Sequence, residues 1–177
     1  MTNDTQNIIH HWREAVPDDR MAHLIRDASR AFRRALQIRL ARHGVPFGHW
    51  RFLRILWDTD GLTQKELSAR AGVMEPTTFS AMKAMESLGY IERRQIATNK
   101  KNVYVYLTDA GRTLETRLVP LAEDTNHMSI KNVDSVDLAI ARRVLLSMIE
   151  NLAQDELVQQ EQFRERERKK PAATRSP

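Results

Sequence analysis

The sequence predicts a mainly α-helical fold carrying one small antiparallel β-hairpin. Three observations predict it. Apolar residues recur every three or four positions through most of the 177 residues, the spacing that lines one face of a helix. Glycine, proline and capping side chains cut that pattern into separate helices. Ile91–Gln95 and Val103–Leu107 read instead as strands by their alternation.

Composition sets the outer limits. The length suits one domain with a real core, or a small domain plus an extension. No apolar run approaches the roughly 18 residues of a membrane span, and no charged start followed by an apolar stretch marks a signal peptide. Cysteine is absent, so there is no disulfide framework, thiolate metal site or thiol switch. A cytoplasmic protein with no membrane partner is expected. The net charge of +5 and sequence pI near 9.8 favour polyanionic partners without proving one.

The elements follow in order. Residues 1–16 are polar apart from Ile8, Ile9 and Trp12. Pro17-Asp18-Asp19 opens a long helix, since proline is tolerated at a helix start and acids suit the positive end of its dipole. Met21, Leu24, Ile25, Ala28, Phe32, Ala35 and Leu36 form its stripe. Gly44 and Pro46 end it, giving a helix close to 40 Å long at about 1.5 Å per residue. A second helix runs from about Phe47 to Asp58, with Phe52, Leu53, Ile55 and Leu56 inward. Asp60-Gly61 is a turn. Thr63 and Glu66 make a capping box for a short helix from about Gln64 to Ala71, stopped by Gly72. A fourth helix runs from near Pro76 to Leu88. After the hairpin, Thr108-Asp109 caps a fifth helix through Leu114, Leu118 and Leu121, with a kink expected at Pro120. Asn132–Asp134 breaks the pattern before a last helix opened by Ser135-Val136-Asp137. From Gln160 the chain turns highly charged and is expected to be disordered.

Two short helices joined by Gly72-Val73-Met74-Glu75 form a helix-turn-helix pattern. Leu67 and Ala71 of the first must bury against Met82 and Met85 of the second, and Gly72 lets the turn become left-handed. The second helix then offers Thr77, Thr78, Ser80, Ala81 and Lys83 to a major groove about 12 Å wide. Thr63 and Gln64, at the start of the first helix, join them as candidate DNA contacts. An ordinary helical hairpin remains the alternative for these two helices alone.

The segment ERRQIATNKKNVYVYLT, from Glu92 to Thr108, favours the DNA reading. A basic hairpin directly after a recognition helix is a wing. Arg93 and Arg94 lie near its base, and Asn99, Lys100 and Lys101 form its tip, suited to phosphates or the minor groove. Val103, Val105 and Leu107 can pin it to the core, with Tyr104 and Tyr106 on the other face.

GLTQKELSARAGVMEPTTFSAMKAMESLGYIERR followed by NKKNVYVYLTDAGR resembles the MarR family of bacterial transcription regulators. The resemblance spans roughly residues 19–152 and includes the order of elements and the Leu107-Thr108-x-x-Gly111 motif after the wing. It implies a winged helix-turn-helix DNA-binding domain plus a helical dimerisation domain. Residues 1–45 and 109–160 are then dimerisation helices, 46–108 the DNA-binding domain and 161–177 a basic tail. Two departures stand out. The family's wing carries Asp-x-Arg where this chain has Asn99-Lys100-Lys101, and Ser80 replaces the usual arginine of the recognition helix. The family's residue at position 78 is apolar, so Thr78 can also pack inward rather than read a base.

The resemblance implies a homodimer on a near-palindromic double-stranded operator. The apolar stripes of the first and last helices support dimerisation independently, exceeding what a small winged domain can cover; an intramolecular bundle is the alternative. Many relatives release DNA on binding small aromatic or phenolic acids. Here Arg26, Arg30, His49 and Trp50 are the candidate residues for such an acid or its thioester, a cation holding the carboxylate and an aromatic stacking on the ring. A core role for Trp50 and a solvated one for the arginines compete with that. No cofactor, metal site or enzymatic constellation is implied: no glycine-rich phosphate loop occurs, and the adjacent His10 and His11 diverge on a helix. The function expected is a transcription regulator, expected to repress; a constitutive architectural DNA-binding protein without effector is the rival.

Overall fold

The computed structural model describes residues 3–14, 21–96 and 99–169, with side chains described for 6–12, 21–95 and 102–168. The chain divides into two units, Met1–Ser129 and Ile130–Pro177. The first holds helices α1 (Asn3–Glu14), α2 (Met21–Ala41), α3 (Phe47–Asp58), α4 (Gln64–Ala71), α5 (Glu75–Ser87) and α6 (Asp109–Ser129), with strands β1 (Leu62–Thr63), β2 (Ile91–Ile96) and β3 (Asn99–Leu107). The second holds α7 (Ser135–Lys169).

The core gathers where periodicity places it. Leu40 of α2, Phe52, Leu53 and Leu56 of α3, Leu67 of α4, Met82 and Met85 of α5, and Leu114 and Leu118 of α6 are buried together. Val105 and Leu107 fix β3 onto this layer. β3 is the central strand, antiparallel to β1 through Leu62–Val105 and to β2 through Ile91–Leu107 and Arg93–Val105. β1 is an addition to the predicted hairpin; its two residues are too few for alternation to register. Val103, predicted to pin the hairpin, is 37 % exposed, because the sheet has left the core by that point.

Several boundaries differ from the sequence expectation. The described part of α2 has 21 residues, about 32 Å at 1.5 Å per residue; the opening assigned to Pro17-Asp18-Asp19 lies outside the described residues. Residues 3–14 form a helix, which the polar composition hid. Its Trp12 Nε1–H donates to Asp27 Oδ2 on α2 at 3.3 Å. α6 runs through Pro120 without a break in its helical assignment. α7 continues to Lys169, past Gln160 where disorder was expected: the stretch mixes acids and bases at helical spacing, and charge alone does not stop a helix. Residues 170–177 lie outside the described residues.

The Leu107-Thr108-x-x-Gly111 motif has a clear physical basis. Thr108 Oγ1 accepts from the Gly111 N–H at 3.1 Å and donates to the Gly89 carbonyl at 2.5 Å, tying the α6 start to the α5 end. A Cβ on Gly111 would lie 2.0 Å from the Tyr90 carbonyl oxygen. Only glycine allows α6 to approach there.

Candidate nucleic-acid interface and effector cleft

α4 begins as the sequence predicts. The Thr63 hydroxyl accepts from the Glu66 N–H at 3.2 Å, while Glu66 accepts from the Thr63 N–H at 2.7 Å. Hydrogen bonds from the Thr63 side chain, then backbone, hold the Glu66 carboxyl below its ordinary pKa. This closed box leaves Thr63 occupied as a cap, with Gln64 beside it on the first turn. Gly72 takes φ 61° and ψ 41°, the left-handed conformation that turns the chain into α5.

α5 shows a clear inward row. Thr78, Met82 and Met85 are fully buried at i, i+4 and i+7. Thr78 therefore does not face outward with Thr77, Ser80 and Lys83: its hydroxyl lies 2.7 Å from that of Ser68 on α4. Ser68 also donates to the Gln64 carbonyl at 2.9 Å. A threonine here keeps the shape of an inward apolar residue and adds one hydrogen bond between the two helices. Ala81 is half-buried against the core, again on the inner side. The exposed residues of α5 are Glu75, Pro76, Thr77, Phe79, Ser80, Lys83 and Ser87. Phe79 was missed because a large apolar residue at helical spacing reads as core; it is 52 % exposed.

The hairpin leaves α5 through a tight turn at Gly89 and Tyr90. Arg93, predicted to face DNA, binds Glu86 of α5 through Nε at 2.9 Å and Nη2 at 2.5 Å. That hydrogen bond, aided by the positive charge, holds the Glu86 carboxyl below its ordinary pKa. Arg93 thus locks the hairpin to α5. Arg94 pairs with Glu92 and lies over the Tyr106 ring at 5.6 Å, while remaining largely exposed. The structure places Asn99–Lys101 in β3 next to the hairpin end, rather than at the turn itself. The side chains of Asn99, Lys100 and Lys101 lie outside the described residues.

A brace the sequence did not reveal fixes the hairpin's other end. Asp60 Oδ1 accepts from the Gly61 and Leu107 N–H groups at 3.0 and 2.9 Å, and Oδ2 accepts from Arg112 at 2.9 Å. One carboxylate thereby joins the α3–β1 turn, the end of β3 and the start of α6. Asp-Gly signals a turn from sequence alone, but partners 47 and 52 residues away leave no local trace.

α2, α3 and α6 enclose an open cleft of about 1230 Å³. Phe47, Trp50 and Trp57 supply its aromatic lining, with Arg33, Arg51 and Arg54 as cations and Glu115 and Glu123 among its acids. Trp50 and Trp57 meet edge to face with centroids 5.6 Å apart. Arg33 lies 5.7 Å from the Phe47 centroid and Arg54 5.9 Å from that of Trp50. Trp57 Nε1–H donates to the Gly111 carbonyl at 3.0 Å, holding this wall against the α6 start.

The predicted effector set is not brought together. Of its four members only Trp50 lines the cleft, and it is a core residue with 4 % exposure. Arg26 donates to Asp27 at 3.1 Å, and Arg30 is exposed on α2 outside the cleft. His49 also lies outside it: its Nδ1 is buried without a hydrogen-bond partner, and burial lowers its pKa. The helical phase explains the correction. Arg33 is the α2 arginine directed to the cleft, one turn beyond Arg30.

Comparison with known proteins matches residues 48–103 to the model of the MarR family. Over that segment the chain is similar to the MarR family. The matched segment contains the turn, both short helices and most of the hairpin. A relative named HTH-type transcriptional regulator TtmR, from Methylorubrum extorquens, is 28 % identical over 140 residues, covering 79 % of this chain and 68 % of the relative. The homoprotocatechuate degradative operon repressor of Escherichia coli is 28 % identical over 76 residues, which is 43 % of this chain and 51 % of the repressor. Among solved structures, a MarR-family regulator from Listeria monocytogenes complexed with 26mer DNA shares the fold at a TM-score of 0.68 and 22 % identity, covering 81 % of this chain and 95 % of that one.

Proposed function

We propose that this chain is a homodimeric, sequence-specific transcriptional repressor of the MarR type whose grip on a near-palindromic operator is released by a small aromatic or phenolic acid. The observation that carries the DNA-binding part is α5. Its inner row is locked by the core and Ser68, and its outer row is exposed beside a hairpin anchored through Arg93 and Asp60. Such a rigid helix, with Lys83 outward and Lys100 and Lys101 on the neighbouring strand, has the form that enters a major groove while a basic wing meets the backbone.

Dimerisation is supported by apolar side chains each unit leaves uncovered. In the first unit, Met21, Leu24 and Phe32 of α2 are exposed. In the second, Leu145, Ile149, Leu152 and Phe163 of α7 are exposed. Residues 1–45 and 109–160 are assigned to that interface and 46–108 to DNA. The cleft of α2, α3 and α6 supports the effector reading, since its arginines and aromatic rings suit a ring bearing a carboxylate. The relative named as a repressor of a homoprotocatechuate degradative operon favours a phenolic acid over its thioester.

The test is selection of duplexes from a random pool by the full-length protein, followed by binding titrations across a salt series. The affinity is expected to fall steeply with salt, and Lys101→Ala to reduce the slope by about one charge while weakening all sequences alike. A panel of aromatic acids is then expected to lower the affinity, and Arg33→Ala to blunt that response. Selection without enrichment would defeat the regulator reading. Enrichment with no response to any acid would favour a constitutive DNA-binding protein.

A further inference from the structure

We infer that Phe79 determines operator sequence by packing its ring against the 5-methyl group of a thymine in the major groove. This rests on the DNA-binding role proposed above. Phe79 stands in the second turn of α5, on the ridge Pro76–Phe79–Lys83 at i, i+3 and i+7. The inward row of Thr78, Met82 and Met85 fixes the helix's rotation, so the ring cannot turn into the core. It is held at 52 % exposure.

The other outer side chains make few directed contacts available. Ser80 donates its hydroxyl proton to the Pro76 carbonyl at 3.0 Å, and Ser87 donates to that of Lys83 at 3.0 Å. Both are left as acceptors only. No arginine, asparagine or glutamine occurs on this helix, so Lys83 is its one outward side chain of the kinds that pair bidentately with guanine or adenine. Glu86, two turns beyond Phe79, is paired with Arg93, and Glu75, one turn before it, is exposed at the helix start. What remains at the centre of the face is apolar surface. The major-groove edges of the bases present one apolar group, the C5-methyl of thymine. Lys83, one turn further along, supplies a cation for the adjoining backbone.

The experiment takes the duplex enriched by the wild-type protein and replaces each thymine singly with 2′-deoxyuridine, which removes the methyl and keeps the pairing. At one symmetric position per half-site the wild type is expected to lose about 4-fold in affinity, the worth of one buried methyl. Phe79→Ala should bind more weakly and bind thymine and deoxyuridine there equally. Phe79→Leu should keep part of the preference. Wild-type indifference to every replacement would overturn the inference while leaving DNA binding intact. So would an undiminished deoxyuridine penalty in Phe79→Ala, which would move the contact to the Thr77 methyl. A changed oligomeric mass in Phe79→Ala with unchanged base preference would also overturn it, by making the ring a protein contact. Failure of the wild type to enrich any duplex would remove the DNA-binding reading and this inference together. If Phe79→Ala proves unstable, Phe79→Leu decides the matter: a reduced deoxyuridine penalty supports the ring contact, and an undiminished one overturns it.

Discussion

Replacing Thr78 separates packing from base reading. The side chain is fully buried, and its hydroxyl meets that of Ser68 at 2.7 Å. Thr78→Ala removes a buried methyl, at about 0.8 kcal/mol of transfer energy, and leaves a small void. It also removes a hydrogen bond with a net worth of about 1 kcal/mol. Ser68 keeps the Gln64 carbonyl as an acceptor at 2.9 Å, so no buried donor is stranded and the larger penalty for an unpaired group does not apply. The sum, with the void, is about 2–3 kcal/mol. For a chain of this size that corresponds to a melting-temperature loss of roughly 5–10 °C. Thr78→Val keeps the volume and loses only the hydroxyl, so it should cost about 1 kcal/mol or less. Thermal unfolding at fixed protein concentration, read beside affinities for enriched and random DNA, checks both. Unchanged melting with a collapsed ratio of cognate to random affinity would refute the inward placement.

Other outcomes follow from the same contacts. Gly111→Ala should destabilise by at least about 3 kcal/mol, the upper range for overpacking, because its Cβ would sit 2.0 Å from the Tyr90 carbonyl oxygen, a rigid backbone atom; soluble yield and denaturant midpoint check it. Asp60→Ala strands the Leu107 N–H and frees Arg112, so a loss of about 2 kcal/mol is expected, with faster amide exchange in β3 than in α3. Burial lowers the His49 pKa in the fold, so the unfolded chain takes up the proton first as pH falls. The stability this gives is whole above the ordinary histidine pKa near about 6.5 and is lost as pH drops from there through the lower folded value. Denaturant midpoints at pH 8 and 5.5 should show that loss, and His49→Gln should reduce the difference; an identical difference in the variant would remove His49 as its cause.

Local chemistry made much of this fold legible. The Thr63–Glu66 box, the left-handed Gly72 and the Asp60-Gly61 turn are each written within four residues, and each forms where the sequence places it. Asp60's bonds to Leu107 and Arg112 were not legible, since nothing near Asp60 encodes a partner some 50 residues on. Nor was the phase of α2, where one helical turn decides whether Arg30 or Arg33 faces the cleft. The recognition helix shows the deeper reason. Polarity placed Thr78 among the candidate base contacts and left Phe79 out, whereas the fold buries the threonine and exposes the phenylalanine. Adjacent residues on a helix point about 100° apart, so one rotation decides both fates. That rotation is set by Met82 and Met85, which offer large apolar area on one side, and by Ser68, which gives the Thr78 hydroxyl a partner and so removes the cost of burying it. A polar residue can therefore lie inside whenever its single hydrogen bond is met, and the aromatic ring displaced outward becomes available to DNA.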